Sequence, residues 1–127
     1  DKLFGNDGND QIIGGKGNDE LTGDGGIGAG ADTFIWNRED VETSASPAHD
    51  KVLDFDASEG DVLNLSDLLA DGSHTIEGVK NSSGDLQLNI KSGSSTVQEI
   101  ELSGVSGEYA AATLQSLLAS GAIDDGI

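Results

Sequence analysis

The residues with the most chemistry in them are two aspartates nine positions apart, Asp10 and Asp19. Each closes a short glycine-rich run, Gly5-Asn6-Asp7-Gly8-Asn9-Asp10 and Gly14-Gly15-Lys16-Gly17-Asn18-Asp19. Each is followed two positions later by an aliphatic residue, Ile12 or Leu21. Residues 5–22 are therefore two copies of one nine-residue pattern: small, any, any, Gly, Asn, Asp, any, aliphatic, any. Asp1-Lys2-Leu3-Phe4 reads as the tail of an earlier copy, with Asp1 and Leu3 in the aspartate and aliphatic places. A fixed period of this kind is a better guide to architecture than local propensity.

Glycines allow a tight six-residue turn with positive-φ positions. The next three residues form a brief strand whose eighth-position side chain (Leu3, Ile12, Leu21) points inward. Two copies make one flattened coil, so aspartate-bearing turns stack on one another. Close carboxylates repel by about 1 kcal/mol per pair even at the dielectric constant of water. A hard cation between the turns removes that repulsion and engages backbone carbonyls that the turns leave unpaired. Oxygen-only ligands and the absence of cysteine favour Ca²⁺ over zinc. So few inward side chains cannot offset the cost of ordering the backbone, so metal binding and folding are expected to be one event. A glycine-rich acidic linker would leave the aliphatic residues at nine-residue spacing unexplained.

This nonapeptide resembles the Ca²⁺-binding repeat of RTX proteins. In that family the carbonyls of positions two and four and the aspartate of position six bind the ion. The resemblance thus implies ligands at Asn6, Gly8 and Asp10, then at Gly15, Gly17 and Asp19, with Asp1 in the equivalent place of the earlier copy. Residues 23–31 break the spacing, because Asp32 follows Asp19 by thirteen residues rather than nine. A four-residue insertion accounts for this, after which the pattern resumes as Gly28, Gly30, Asp32 and inward Phe34. Asp24 stands eighteen residues after Asn6 and could face the first turn's ion.

Six basic and 24 acidic residues give a net charge of −18 over 127 residues. Such acidity argues against nucleic acid and anionic lipid as partners and favours cations. No apolar run is long enough to span a membrane. The chain opens at Asp1, mid-repeat and without methionine, so a fragment of a longer protein is expected and an upstream signal would not be visible.

The elements that must carry these turns are mainly strands. Residues 33–36, 50–55 and 62–65 read as strands, and Ser66-Asp67-Leu68-Leu69 as one helical turn. Trp36 reads as a core or capping residue. Residues 37–49 read as a polar loop, and Asp54, Asp56 and Asp61 as turn and surface residues. Thr75 to Val79 is a further strand. Leu86, Leu88 and Ile90 alternate with polar residues, and Val97, Ile100 and Leu102 mark a partner strand whose register slips once. Ser92-Gly93-Ser94 between them predicts a hairpin. Ser106 is placed to cap a helix from about residue 107 to 120, ended by Gly121, with Ala110, Leu114, Leu117 and Leu118 on the face packing onto the hairpin. Residues 123–127 are expected to fray. The fold class is mainly β: a parallel β-roll of Ca²⁺-binding nonapeptides, continued by a β-rich C-terminal lobe with one or two short helices. The boundary is set at 1–61 for the roll and 62–127 for the lobe.

From Ala31 onward the chain resembles the C-terminal target domain of type I-secreted RTX proteins. The residues that carry this are Ala31-Asp32-Thr33-Phe34, Asp50-Lys51-Val52-Leu53-Asp54-Phe55, Glu59-Gly60-Asp61-Val62-Leu63-Asn64-Leu65, Gln98-Glu99-Ile100-Glu101-Leu102 and the stretch 114–123. The subclass that ends large bacterial adhesins is the nearer likeness, and the roll domain of serralysin metalloproteases a more distant one. The latter implies that Asp32 shares an ion with an acidic residue seven positions on, here Glu39, and that Asp50 follows as the next ligand.

Enzymatic readings find little support. There is no His-Glu-x-x-His, and His49 and His74 sit in polar stretches where exposure is expected. Serines lack a nucleophile-elbow setting, and no lysine follows the glycines of 23–30 as a phosphate loop requires. The expectation is a non-catalytic, monomeric, calcium-binding secretion and folding module of an RTX adhesin, secreted or held at the bacterial cell surface. The resemblance implies transient partners in the type I apparatus: an ABC transporter, its periplasmic adaptor and an outer-membrane channel. The alternatives are a Ca²⁺-dependent adhesive domain that itself binds a surface or carbohydrate, and the tail of a secreted hydrolase.

Overall fold

The computed structural model describes residues 1–23, 30–40, 47–70 and 72–126. Ten strands form two sheets facing one another across one core. Strands β1 (Lys2–Phe4), β2 (Gln11–Ile13), β3 (Glu20–Thr22), β4 (Thr33–Ile35), β5 (Ala48–Val52) and β6 (Val62–Asn64) alternate between the sheets, as a parallel roll demands. Lys2 pairs with Glu20 in parallel, so the first coil is eighteen residues long. Gln11 pairs with Thr33, 22 residues on, which is the same coil lengthened by the four-residue insertion. Leu21, Phe34, Val52 and Leu63 are fully buried between the sheets, and Ile12 nearly so.

The parallel sheets continue into the C-terminal half without a gap in hydrogen bonding at residues 61 and 62. Strand β4 pairs with β6, and β5 pairs in parallel with the long strand β9 (Ser95–Ser106). Strand β9 then turns the sheet antiparallel by pairing with β8 (Asp85–Ser92), which pairs with β7 (Thr75–Lys80). A hairpin at Gly93, with φ of 64°, joins β8 to β9. The register shifts twice rather than once: between Asp85 and Leu86, which face Ser106 and Leu102, and at Val97, because Ile90 faces Gln98 while Lys91 faces Thr96. This puts Gln98, rather than Val97, on the core face with Ile100 and Leu102.

Two short helices complete the fold, α1 (Ser66–Leu69) and α2 (Ala110–Ser120). Helix α2 starts three residues later than the sequence predicts. The Ser106 hydroxyl accepts from the Glu108 N–H (3.3 Å) in a local turn, and no side chain caps the helix. Gly121 ends it in the left-handed conformation (φ 83°) and donates to the Leu118 carbonyl. The helix packs chiefly over β7, which pairs with β8 of the predicted hairpin. Gly78 permits this: a Cβ there would lie 2.9 Å from the Ala110 carbonyl oxygen and 3.3 Å from Leu114 Cβ.

The C-terminal tail is the clearest departure from expectation. Ile123–Asp124 forms β10, which pairs in parallel with β6, and Ile123 is 1% exposed. Its backbone is held because Leu63 N–H donates to the Ala122 carbonyl and Leu65 N–H to the Asp124 carbonyl. A frayed tail cannot bury a branched aliphatic residue, whereas a strand added to the open edge beside β6 can. Ile123→Ala should therefore lower stability by about 2–5 kcal/mol in urea denaturation. A value near zero would mean that the tail is not part of the core.

Candidate metal-binding turns

The aspartates that close the turns point inward, and each does a defined job. In the parallel roll, turns alternate between two sides. On one side Asp32 Oδ1 accepts from the Asp10 N–H (2.9 Å), and Asp61 Oδ1 accepts from the Asp32 N–H (2.9 Å). On the other side Asp19 Oδ1 lies 2.6 Å from the Asp1 amino group, and Asp50 Oδ1 accepts from the Asp19 N–H (2.8 Å). Two ladders result, Asp10–Asp32–Asp61 and Asp1–Asp19–Asp50. In each, a carboxylate satisfies the backbone N–H of the aspartate one coil earlier. The repeat asparagines add a parallel link: Asn9 Oδ1 accepts from the Ala31 N–H and Asn18 Oδ1 from the His49 N–H, both at 2.8 Å.

The second carboxylate oxygens face the interior of the turns. Asp10 Oδ2 and Asp19 Oδ2 are sealed from solvent and have no hydrogen-bond partner. Each lies over the first glycine of its own repeat. A Cβ at Gly5 would come within 2.6 Å of Asp10 Oδ2, and one at Gly14 within 2.7 Å of Asp19 Oδ2. Gly23 stands in the same relation to Asp32. The positive-φ residues recur in step, Asn6 (69°) with Gly15 (82°) and Gly8 (98°) with Gly17 (92°). Positions two and four of both copies thus share one unusual backbone shape, which glycine adopts freely and asparagine tolerates.

A buried carboxylate oxygen with no donor costs several kcal/mol unless a cation compensates it. The Gly23 carbonyl oxygen stands beside the Asp10 turn, 2.8 Å from where a Gly5 Cβ would sit, and the chain has no cysteine. Among the described residues no point is ringed by three or more His, Asp or Glu side chains. An ion here would draw much of its coordination from main-chain carbonyls, which suits the hard, oxygen-seeking, geometrically tolerant Ca²⁺. The donor set and the two orphaned oxygens fit that ion.

The remaining residues singled out in the sequence fall into several groups. Asp24 and Gly28 lie outside the described residues. Gly30 and Asp32 are buried in the turn that leads into β4. Glu39 is exposed on a 3-10 turn, Arg38–Asp40, with no hydrogen bond or ion pair to either ladder. Asp50 belongs to the ladder, yet its Oδ2 accepts from Trp36 Nε1 (2.8 Å) and Gln98 Nε2 (2.9 Å). Protein donors stand where the sequence reading places an ion. Burial pushes the Asp50 carboxyl above the ordinary aspartate range, against the pull of its hydrogen bonds from Trp36, the Asp19 N–H and Gln98. A raised carboxyl pKa favours the protonated folded form, so this group's contribution declines as pH rises through that pKa.

Four residues read as surface or loop positions belong elsewhere. Asp61 is 1% exposed and carries the third rung of its ladder, with Oδ2 accepting from the Asp56 N–H (2.9 Å). Asp54 Oδ1 accepts from the Gly23 N–H (2.8 Å). His49 is half-buried within β5, between Glu99 Oε1 at 3.0 Å and Glu101 Oε1 at 3.3 Å. His74 is also half-buried, its Nδ1 3.1 Å from the Leu68 carbonyl oxygen. The signal that could have found Asp61 is a shorter motif, Asp-x-apolar. It recurs at Asp1, Asp10, Asp19, Asp32, Asp50 and Asp61, before Leu3, Ile12, Leu21, Phe34, Val52 and Leu63.

Gly14→Ala tests the floor of one turn. The added methyl must displace Asp19 Oδ2, and overpacking of this kind costs about 1–3 kcal/mol. The expected outcome is a higher calcium midpoint in a circular-dichroism titration, while Lys16→Ala in the same turn leaves it unchanged.

Comparison with known proteins agrees with this geometry. The family model described as Peptidase M10 serralysin C terminal matches residues 5–114. A search of curated proteins returns no match. Serralysin C-terminal domains of the RTX type bind Ca²⁺ and belong to proteins secreted by type I systems, which supports calcium binding and an extracellular location for this chain. With the match spanning every rung of the two ladders except Asp1, and strands β7 to β9, the chain belongs to the serralysin C-terminal family of Peptidase M10 proteins.

Proposed function

We propose that this chain is a non-catalytic secretion and folding module that closes on Ca²⁺ after leaving the cell, at the C-terminal end of an RTX adhesin. The observation that carries it is the pair of buried, donorless oxygens, Asp10 Oδ2 and Asp19 Oδ2, each seated over a glycine in a turn of repeated backbone shape. In this reading the Asn6 and Gly8 carbonyls with Asp10 hold one ion, and the Gly15 and Gly17 carbonyls with Asp19 hold another. Gly30 and Asp32 supply the turn that faces the first. The ion supplies positive charge where stacked carboxylates would otherwise repel.

The net charge of −18 gives the switch its direction. Where free Ca²⁺ is scarce, aspartates from adjacent coils repel and the roll stays open. An open chain can thread a transporter. Outside, at the roughly 0.1–1 mM Ca²⁺ that extracellular modules sense, the coils close and oppose backsliding. Residues 62–127 would then carry the export signal read by the ABC transporter, periplasmic adaptor and outer-membrane channel, and the module would act as a monomer.

A second reading is favoured by the peptidase name of the matching family: the C-terminal domain of a secreted hydrolase. The two differ in what lies upstream. A His-Glu-x-x-His segment encoded ahead of Asp1 supports the hydrolase, and long adhesin-type repeats support the adhesin.

Calcium titration of the purified chain tests the shared part of both readings. In EGTA the N-terminal third should lack β signal, and millimolar Ca²⁺ should restore it, with bound ions counted by native mass spectrometry. Mg²⁺ should substitute poorly, because it dehydrates reluctantly and demands tighter octahedral geometry. Equal compactness in EGTA and in Ca²⁺ would sink the proposal. In cells, a passenger fused to residues 31–127 should leave only when a type I apparatus is present. Binding of glycans by the isolated chain would instead point to an adhesive domain.

A further inference from the structure

We infer that Trp36 and Gln98 take the place of an ion at Asp50, making it a metal-independent end rung that positions the Asp19 turn for calcium. This rests on the calcium reading of Asp19. The two aspartates occupy equivalent places in one ladder and use Oδ1 in the same way, each toward the backbone nitrogen one coil earlier. They differ at Oδ2. That of Asp19 is sealed without a hydrogen-bond partner, and that of Asp50 takes two side-chain N–H donors at 2.8 and 2.9 Å. Two N–H donors thus stand where a cation would bind this oxygen.

The donors come from distant parts of the chain. Trp36 follows β4 in one sheet, and its N–H donates to the Asn64 carbonyl of β6. Gln98 sits on the core face of β9, in the other sheet, and is 2% exposed. Its amide also lies 3.3 Å from the Ala48 carbonyl oxygen. Asp50 is fully buried between them. Both sheets are therefore joined at this rung by protein groups alone.

The joined rung reaches forward to the calcium turn. Asp50 Oδ1 fixes the Asp19 N–H, and the His49 N–H fixes Asn18 through its side-chain oxygen. Residues 18 and 19 are thus held from the C-terminal side before an ion arrives. Less chain remains to be ordered when calcium binds, which lowers the concentration at which it does so.

Trp36 is the only tryptophan, so its fluorescence reports the rung directly. In wild-type protein its emission should stay that of a buried indole in EGTA, while the far-ultraviolet signal of the coils ahead of it, residues 1–23, still requires calcium. Gln98→Met removes one donor and keeps the length of the side chain. It should raise the calcium midpoint by about tenfold, a middling coupling strength, with the number of bound ions unchanged. Gln98→Glu sets a second carboxylate beside Asp50 and should convert the rung to a metal-dependent one. Its Trp36 emission would be solvent-like in EGTA and buried in calcium, with one more ion bound by native mass spectrometry. A purely structural role for Gln98 predicts no such calcium-dependent rescue.

The inference is overturned if wild-type Trp36 is solvent-exposed in EGTA, if Gln98→Met leaves the midpoint unchanged, or if Gln98→Glu is not rescued by calcium. A wild-type chain whose far-ultraviolet signal ignores calcium overturns the calcium reading, and this inference with it. The first set of outcomes leaves the calcium reading standing, so the two failures are distinguishable.

Discussion

One interaction organises this molecule: an inward aspartate at the end of a turn, whose Oδ1 accepts the backbone N–H of the aspartate one coil earlier. It appears three times, from Asp32, Asp50 and Asp61, while Asp19 Oδ1 takes the terminal amino group of Asp1 in the equivalent place. Burying a carboxylate is costly, and nothing in a β-sheet requires one at this place. The roll gains from it because tight turns leave N–H groups that no strand partner reaches. A charged acceptor satisfies them, and its inward aim brings the next apolar side chain, two residues on, into the core. The aspartate ladder and the aliphatic core are therefore one pattern seen at two positions.

The other oxygen of each aspartate decides how the coil is held shut. At Asp10 and Asp19 it faces a turn with glycine beneath and no donor above. At Asp50 it meets the Trp36 indole and the Gln98 amide, and at Asp61 the Asp56 N–H. The roll thus passes along its length from carboxylates that need an external charge to carboxylates that the protein satisfies. The chain's acidity deepens the contrast, since each uncompensated coil adds to a field already strongly negative. Charge pairing on the outer face offsets part of that field, as where Lys51 Nζ lies 3.9 Å from Glu101 Oε2.

The C-terminal half is the platform on which the roll is stacked. Strand β9 pairs in parallel with β5 along one edge and antiparallel with β8 along the other, so a stack of short coils is continued by a hairpin. Its long, regular strands bury Leu86, Leu88, Ile90, Ile100 and Leu102 completely. The three-residue strands β1 and β2 each turn a single residue, Leu3 or Ile12, toward the core by comparison. Apolar burial is therefore concentrated at the C-terminal end of the sheet, and the roll end has less of it.

The sequence alone determined the repeat, the inward residues of the first three coils, the four-residue insertion and the oxygen-rich turns. All of these follow from local spacing, because a coil of eighteen residues repeats in the chain as it does in space. It also determined the hairpin at Gly93 and the helix stop at Gly121, where glycine alone takes the backbone shape without strain. What it could not determine lay beyond the period. Asp61 meets Asp32 across 29 residues, and Asp50 meets Asp19 across 31, because loops of unequal length intervene. Gln98 meets Asp50 across 48 residues and only after a bulge at Val97 turns it inward. Ile123 reads as a tail until the open edge beside β6 exists to receive it. A residue's type and spacing fix what it can donate or accept, but which partner lies within 3 Å is decided only when distant strands come into register.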